Sequence, residues 1–506
     1  MSINRNYKPL LFTTTMRNPE RIKNFLQILY KYNRQILNEE ICISVAKDII
    51  NAGLYKPTKI PPNLKNKFKN GDELSDEELD EIIEKNPQKH KEAGFEKGWP
   101  SRFDTWFKIA KEFGFVWYKI GDAIEFSDTG NLLIQENGII EIKVFANVFY
   151  KYIRGNPFRR VLNKNNPLVL LLETIKLLNA DKDFKPKGIS KMELPLLLCW
   201  HDDNAKELYC KIKSIRKKYG YKPTAEVILE ECYALLDTTK RDDDSLIKDL
   251  PDEFIRKMRI SGLLSLRGEG RFLDINKQQE TAVDYILNNP NKYFFYSTER
   301  DFYSYMSTID NNLVDKIVIP STKENQKSLK NWASRYSWEQ VKSELIILAN
   351  SKHNSKDEIL SHMYEPLRLE FLVSLALFER FNSIKVEPNY IADDEGLPIN
   401  FAPGGKPDIV CYENNDMALV EVTLLNGIQQ YINEAHSVEK HLLEYAQKYK
   451  NNNNRIYSIF IAPSINGRML AFSRFLESQH DTLRVLEIKV FICKSENNLN
   501  LDTATS

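Results

Sequence analysis

The sequence has few cysteines and no long apolar run, and each absence excludes a class of protein. None of the six cysteines forms a CxxC pair or keeps a regular spacing to histidine, which argues against zinc motifs and a disulfide framework. The longest apolar runs, such as residues 196–200 and 371–378, are far too short to span a bilayer. The first residues lack the apolar core of a signal peptide. We therefore expect a cytoplasmic protein with no membrane segment.

Two further absences concern charge and nucleotide binding. The 71 basic residues are balanced by 70 acidic ones, so the net charge of +1 does not identify a partner. A protein that coats DNA without specificity would be more basic, although local patches can still bind phosphates. No GxxxxGK[ST] loop occurs, which argues against an ATP-driven translocating nuclease. The 506 residues exceed what one hydrophobic core accommodates and suggest three or four domains.

Two stretches in the N-terminal half share one pattern of predicted elements. In residues 106–133 and again from residue 254 to Asn276, a helix is followed by a short hairpin and a capped segment. The hairpin turns contain Gly121-Asp122 in the first copy and Gly268-Glu269-Gly270 in the second. This order is typical of a winged-helix module, which places a helix in the major groove of DNA. An ordinary α+β subdomain with a hairpin has the same order, and this alternative stays open.

Two basic runs accompany these stretches. Residues 141–164 contain six basic side chains against the single acid Glu141, with aromatic residues between them, and residues 206–222 contain seven against Glu207. Basic residues interleaved with aromatic ones suit a surface that contacts phosphates. A solvated helix face explains either run equally well.

The C-terminal part has a regular alternation of predicted elements. Residues 291–355 are polar and helix-prone, which predicts a helical linker. The following residues read as an α/β core of helix, strand, hairpin, helix, strand, helix and strand. The main predicted elements are helices at residues 366–380, 427–449 and 468–477, a hairpin of residues 404–412 and 417–423, and strands at 456–462 and 485–492.

The predicted hairpin brings two acids together. If its turn centres between Asn414 and Asn415, residues whose numbers sum to 829 face each other, and Asp408 and Glu421 are such a pair. Their Cβ atoms would then lie about 5 Å apart on one face of the sheet. Two carboxylates at that distance repel unless a cation lies between them, and ligation by oxygen alone suits Mg²⁺. The alternative is an ordinary exposed hairpin.

Three more polar residues can join this pair. Glu370 lies at the edge of a nearly all-apolar helical run, where its carboxylate needs a partner because burial of an unpaired charge is costly. Glu434 and His441 are seven residues apart on one face of the next predicted helix and can point together at the hairpin. The alternatives are a surface salt bridge for Glu434 and a core or phosphate-contacting histidine for His441.

These residues carry a resemblance to known nucleases. Pro407-Asp408, twelve intervening residues and Glu421-Val422-Thr423 resemble the motif of the PD-(D/E)XK nucleases. A closer resemblance, to the AlwI-type type IIS restriction endonucleases and their nicking relatives, extends more loosely upstream. It rests on Leu369-Glu370-Phe371-Leu372, Lys406-Pro407-Asp408, Glu421-Val422-Thr423, Gln429-Gln430, Glu434, Val438 and His441.

The resemblance implies an enzyme that binds a short asymmetric site in double-stranded DNA and cuts a few base pairs to one side. It implies catalytic or metal-binding roles for Glu370, Asp408 and Glu421, with Glu434 and His441 in support. Thr423 stands where the superfamily has a lysine that positions the nucleophilic water. We therefore hypothesise that Asp408 and Glu421 bind Mg²⁺ and that Glu434 helps to build a second metal site.

With this resemblance, the prediction is a multidomain α+β protein. Winged-helix-like DNA-recognition modules occupy residues 1–140 and 141–290, the helical linker 291–355, and a PD-(D/E)XK domain of α/β type 356–506. One chain carries one predicted active site, so a transient homodimer or a small nuclease subunit would supply the cut in the second strand. A strand-specific nicking enzyme is one alternative. The other is a DNA-binding regulator with a decayed nuclease fold, against which the intact set of acids argues.

Overall fold

The computed structural model describes residues 6–13, 15–135, 137–185, 187–291, 294–351, 354–381, 384–449, 455–496 and 500–505, which form a helix-rich mixed α/β protein. The helices are α1 (Glu20–Tyr30), α2 (Glu39–Asn51), α3 (Lys65–Asn70), α4 (Asp76–Lys85), α5 (Trp99–Glu112), α6 (Asp128–Leu133), α7 (Gly138–Lys151), α8 (Pro167–Ala180), α9 (Leu194–Cys199), α10 (Ala205–Tyr219), α11 (Ala225–Leu236), α12 (Leu250–Ile260), α13 (Glu280–Asn288), α14 (Glu299–Met306), α15 (Asn311–Val314), α16 (Asn325–Ala333), α17 (Trp338–Ala349), α18 (Glu365–Arg380), α19 (Gln429–Lys448), α20 (Gly467–Ser478), α21 (Ile488–Glu496) and α22 (Leu501–Thr505). The strands are β1 (Val116–Trp117), β2 (Glu125–Phe126), β3 (Ile189–Ser190), β4 (Leu264–Arg267), β5 (Phe272–Ile275), β6 (Ile384–Pro388), β7 (Ile391–Ala392), β8 (Pro398–Asn400), β9 (Ile409–Glu413), β10 (Asp416–Val422), β11 (Ile456–Ala462) and β12 (Leu483–Glu487). Within the described ranges, no helix combines the length and the hydropathy that a membrane crossing requires.

The chain forms two compact units, each assembled from several stretches of sequence. The first contains the described residues of 1–45, 88–318 and 393–395, and the second those of 46–87, 319–392 and 396–506. These units do not coincide with the four predicted segments. Apart from residues 46–87, the two predicted modules share the first unit, because α7 crosses the predicted boundary at residue 140 and packs against both α6 and α12.

The predicted linker is helical, but its helices are divided between the two units. Helix α14 packs against α5 in the first unit, where Phe302 and Met306 are buried. Helices α16 and α17 pack against α18 in the second unit, where Trp332 and Leu345 are buried. A free-standing linker would expose these apolar faces to water, so packing against the nearest core is more stable.

Both predicted helix–hairpin patterns are present in the first unit. In the first copy, α5 precedes the antiparallel pair β1–β2, and Ser127 caps α6 by accepting a hydrogen bond from the Gly130 amide at 3.0 Å. In the second copy, α12 precedes the antiparallel pair β4–β5, which β3 extends to three strands. Asn276 then caps the turn that leads into α13. The order of elements is confirmed, whereas the winged-helix identity of the modules stays a prediction.

Of the six basic residues in the run at 141–164, only Arg160 and Lys164 are exposed, so the run as a whole does not form a continuous phosphate-contacting surface. Lys151 is buried and donates to the carbonyl oxygen of Thr308 at 2.8 Å. Arg154 is buried and donates to the carbonyl oxygen of Trp200 at 3.2 Å, and Arg159 forms an ion pair with buried Glu112 at 2.7 Å. A buried cation needs such partners because its desolvation is costly.

Other cations of this unit are also neutralised within it. Arg216 of the second basic run forms a fully buried ion pair with Glu193 at 2.7 Å, although Lys206, Lys217, Lys218 and Lys222 of that run are exposed. Arg267 of β4 pairs with Asp394 at 2.6 Å and also with Glu395, two acids of the turn at residues 393–395. The number of basic residues in a stretch therefore overestimates the positive charge at its surface.

The second unit is built on a five-stranded mixed sheet with the order β12-β11-β10-β9-β6. Strands β6, β9 and β10 are antiparallel neighbours, and β10, β11 and β12 are parallel neighbours. The central strand β10 is apolar at five of its seven positions and buried from Met417 to Glu421, as expected for a strand covered on both faces. Helix α19 packs on this sheet through Ala435, Val438 and Leu442, which join two apolar clusters with residues of β9, β10 and β11.

Most predicted elements of this unit are confirmed within two residues, and one is wrong in part. Residues 485–492 were expected to form one strand, but β12 ends at Glu487 and α21 begins at Ile488. The buried residues of α21 are Ile488, Phe491, Ile492 and Ser495, which follow the helical rather than the strand period. Short apolar runs fit both periods, and the helical packing decides between them.

The segment at residues 46–87 also belongs to the second unit. Its helix α4 begins with a complete capping box formed by Ser75 and Glu78. Its turn at Asn70-Gly71 lies directly against the turn at Asn426-Gly427, which joins β10 to α19. A β-carbon on Gly427 would overlap the carbonyl oxygen of Asn70, and one on Gly71 would lie 2.7 Å from the carbonyl oxygen of Asn426. Both turns therefore need glycine for their close approach.

We predict that Gly427→Ala destabilises the protein more than Gly53→Ala. Both glycines have a positive φ, +64° and +71°, so alanine at either position costs about 1–2 kcal/mol. The position next to Gly53 is open, whereas alanine at position 427 meets backbone atoms, which should cost about 1–3 kcal/mol more. Urea unfolding of both variants measures the difference. Equal losses of stability would contradict the contact between the two turns.

Candidate active site

The hairpin β9–β10 has the predicted register. Val420 pairs with Ile409 and Leu419 with Val410, so the paired residue numbers sum to 829 and Asp408 lies opposite Glu421. The backbone links the two acids further: the Val422 amide donates to Asp408 Oδ2 at 2.8 Å, and the Asp408 amide donates to Glu421 Oε2 at 3.3 Å. The two carboxylates are therefore held at one end of the hairpin by main-chain donors.

Helix α19 adds His441 to this pair. The Nδ1 atom of His441 lies 2.6 Å from Glu421 Oε1, and both side chains are buried. Burial lowers the pKa of His441, while the nearby carboxylates of Asp408 and Glu444 raise it in part. A neutral imidazole with the proton on Nδ1 donates to Glu421 and fixes the orientation of that carboxylate. His441 is thus placed to act on Glu421 rather than as an isolated base.

Helix α18, which precedes the hairpin in the sequence, contributes Glu370 to this group of acids. Pro366 lies in the first turn of this helix, and residues 367–377 are all buried, so the helix is enclosed on every side. Glu370 is only 2% exposed, and its Oε2 atom is buried without a hydrogen-bond partner among the described residues. A buried oxygen without a donor is costly, so this atom can accept a hydrogen bond or bind a cation.

The electrostatics of the four acids show that the structure brings them together. The pKa of Glu370 is raised well above its usual value, first by burial and then by the charges of Asp408, Glu421 and Glu434. The pKa values of Asp408 and Glu421 are raised in the same way, by burial and then by mutual or neighbouring carboxylates. Glu434, on the same face of α19 as His441, contributes to all three shifts.

The donor set suits a hard divalent cation. Every candidate ligand is a carboxylate oxygen, the preferred donor for Mg²⁺ and Ca²⁺, and the orphaned Oε2 of Glu370 is a free ligand atom. Over the described ranges, no three acidic, histidine or cysteine side chains already converge as a complete ligand shell. The residues therefore fit a cation by the chemistry of their oxygen donors.

Two asparagines that the sequence did not single out support this site. The Asn389 amide donates to the Asp408 carbonyl at 2.8 Å, and its side chain donates to the Pro407 carbonyl at 2.8 Å. Asn325 in turn donates to the carbonyls of Pro388 and Tyr390 on either side of Asn389. These contacts fix the backbone of the Pro-Asp motif. No spacing rule could have found them, because they join residues 18 to 65 positions apart.

Gln430 and Thr423 organise the loop after β10. The buried side chain of Gln430 donates to the carbonyls of Leu425 and Ser464 and accepts from the Asn466 amide at 2.9 Å. Thr423 is buried, and its hydroxyl accepts a hydrogen bond from the Leu425 amide at 3.1 Å. Thr423 therefore stabilises the turn that follows β10.

Comparisons with known proteins give a family match and a solved structure with limited similarity. The sequence profile described as AlwI restriction endonuclease matches residues 111–331 and 314–488, well over half of the chain. A solved structure with some similarity is the small subunit (R.BspD6I2) of the heterodimeric restriction endonuclease R.BspD6I. The two chains are 23% identical, the match covers 32% of this chain and 92% of that one, and the TM-score is 0.24. No curated protein matches.

The raised pKa values of Glu370, Asp408 and Glu421 predict how the stability of the protein depends on pH. Their pKa values in the folded protein lie above the ordinary 4.5 of glutamate and 3.8 of aspartate. Their contribution to stability is therefore complete below about pH 4 and is lost as the pH rises through the raised values. In EDTA, we expect the free energy of unfolding to fall from pH 5 to pH 9, and less steeply for Glu370→Gln, which removes one titrating group.

Urea titrations at several pH values measure this slope. Glu477→Gln is the matched control, because it removes an exposed carboxylate of α20 outside the site and should keep the wild-type slope. A Glu370→Gln protein with the same slope as this control would contradict the raised pKa of Glu370.

Proposed function

Since the chain belongs to the AlwI restriction endonuclease family and is a site-specific deoxyribonuclease, we propose that it is a type IIS enzyme with a PD-(D/E)XK active site. It would bind a short asymmetric site in double-stranded DNA and hydrolyse phosphodiester bonds a few base pairs outside that site in a Mg²⁺-dependent reaction. The observation that carries the proposal is the register of β9 and β10, which pairs Asp408 with Glu421. The residues that converge on this pair have the chemistry that such a reaction requires.

The proposed roles of the site residues follow from their contacts. Asp408, Glu421 and Glu434 would hold the cation, and Glu370 would complete the acidic site with its orphaned Oε2. His441 is proposed as a positioning residue, because its Nδ1 is bound to Glu421 Oε1. When bound, a divalent cation supplies Lewis-acid stabilisation of the charge that develops on the scissile phosphate.

The attacking water would be oriented by Glu434, because Thr423 stands where the PD-(D/E)XK pattern has the lysine that positions the water. A carboxylate at this position can accept a proton from the water while the water attacks the phosphorus in line. Cleavage of the bond to the 3′ oxygen would leave a 5′-phosphate and a 3′-hydroxyl. Asn389 would keep Asp408 in place during this step by holding the backbone of residues 407 and 408.

The first unit is proposed to read the DNA. Its two helix–hairpin patterns are the candidate winged-helix-like modules, and the exposed lysines of α10 are candidate phosphate contacts. A recognition unit separate in sequence from the acidic site agrees with cutting at a distance from the site that is read. The residues that contact bases would then lie on helices of these modules.

Asp408→Asn tests the proposed active site. We expect cleavage of plasmid DNA in Mg²⁺ to fall at least about 100-fold, because the amide cannot replace the charge of a ligand carboxylate. Binding to the same DNA in a gel-shift experiment should remain. Glu477→Gln again serves as the control and should cut at the wild-type rate. Normal cleavage by Asp408→Asn would disprove the assigned site.

The number of DNA strands that the protein cuts distinguishes a homodimer from a nicking enzyme. The described part of the chain has one such group of acids, whereas a duplex needs two cuts. A transient homodimer predicts linear product from a supercoiled plasmid and a second cut that accelerates steeply with protein concentration. Nicked circles as the sole product at every concentration would instead support a nicking enzyme, alone or as the large subunit of a heterodimer.

A further inference from the structure

A stretch of the second unit is rich in lysine and contains no acid. Residues 54–70, which we name the lysine segment, include α3 and end at the turn beside Gly71. The acidic residues of this region begin only afterwards, at Asp72, and continue through α4. The lysines of the segment are Lys56, Lys59, Lys65, Lys67 and Lys69. Unlike the basic run at residues 141–164, all five are exposed.

Neighbouring acids do not neutralise this segment. Glu78 of α4 pairs with Lys67 at 2.8 Å, but Asp80 pairs with Lys47 and Glu81 pairs with Lys85, two lysines outside the segment. Among the described residues, no ion pair involves the other four lysines of the segment. Within the described ranges, Lys56, Lys59, Lys65 and Lys69 are thus exposed positive charges that form no ion pair.

The lysine segment ends next to the candidate active site. Its last residue, Asn70, contacts Gly427 through the backbone, and Gly71 contacts Asn426. The turn at Asn426-Gly427 follows β10, which carries Glu421, and precedes α19, which carries Glu434 and His441. The segment is thus attached to the loop that joins the two elements of the acidic site.

The lysine segment and the acidic site carry charges of opposite sign, and the two interact with DNA in different ways. The buried acids of the site repel a DNA backbone, so the duplex must be held by positive charge nearby. Lysine ammonium groups on flexible stems bind phosphates as point charges and do not read bases. The lysine segment, which contacts the loop between β10 and α19, can supply this positive charge.

We propose that Lys65 and Lys69, assisted by Lys56 and Lys59, form a phosphate-contacting surface that holds duplex DNA against the active site of the second unit. The proposal rests on the proposed function, and it adds sequence-independent DNA contacts to the unit that cuts. Such contacts bind any sequence that flanks the recognition site, as a cut outside that site requires.

The test is the salt dependence of DNA binding by Lys65→Gln/Lys69→Gln. Removal of one lysine–phosphate interaction should reduce the slope of log K against log salt by about 0.9, so the double variant should show a reduction of up to about 1.8. Binding to a long mixed-sequence duplex is measured in EDTA, where a Mg²⁺-dependent nuclease cannot cut. Lys85→Gln/Lys489→Gln is the matched control, because it removes two exposed lysines of the same unit outside the segment.

A reduced slope for Lys65→Gln/Lys69→Gln alone supports the surface. The same slope in both double variants would overturn it, as would loss of binding to phosphatidylserine vesicles with no change in DNA binding. Thermal melting should give equal midpoints for both double variants. Plasmid cleavage by the wild-type protein separates the two proposals. If the wild type cuts but the salt slope of Lys65→Gln/Lys69→Gln is unchanged, only the proposed lysine surface is refuted. If that slope is reduced but the wild type does not cut, only the proposed nuclease function is refuted.

Discussion

The second unit depends on one constraint: four carboxylates must be held near one another, two of them, Glu370 and Glu421, in buried positions. Burial and mutual repulsion raise the pKa values of Glu370, Asp408 and Glu421, so the site opposes folding whenever these groups are ionised. Main-chain donors to Asp408 and Glu421 and the imidazole of His441 offset part of this cost. Perturbed carboxylates of this kind cluster at functional sites, which supports the proposed role of this group in cleavage.

The architecture around the site keeps the repelling groups in place. The pairing of the central strands fixes the register of Asp408 and Glu421. The buried helix α18 fixes Glu370, and α19 carries His441 and Glu434 on one face. Asn389 and Gln430 then fasten the loops at the ends of the strands. Asn389 and Gln430 act on the backbone, whereas His441 and two main-chain amides hold the carboxylates of Glu421 and Asp408 directly.

Charge has a different role in each part of the molecule. In the first unit, cations such as Arg159 and Arg216 neutralise buried acids and stabilise the core. In the lysine segment, the cations are exposed and mostly unpaired. The two situations have similar sequences, because a basic run shows neither which face of a helix is buried nor where an acid from a distant segment will lie. Positive charge at the surface is decided by tertiary contacts.

The sequence by itself determined the local features of this protein: the hairpin register that pairs Asp408 with Glu421, the capping box at Ser75, and the common face of Glu434 and His441. These follow from strand and helix periods and from turn chemistry, which act over a few residues. Only the tertiary structure decided the division into two units, the helical conformation of α21, the burial of Arg154 and the hydrogen bonds of Asn389 to the backbone of residues 407 and 408. Those features depend on contacts between distant segments, whose energies no local period encodes.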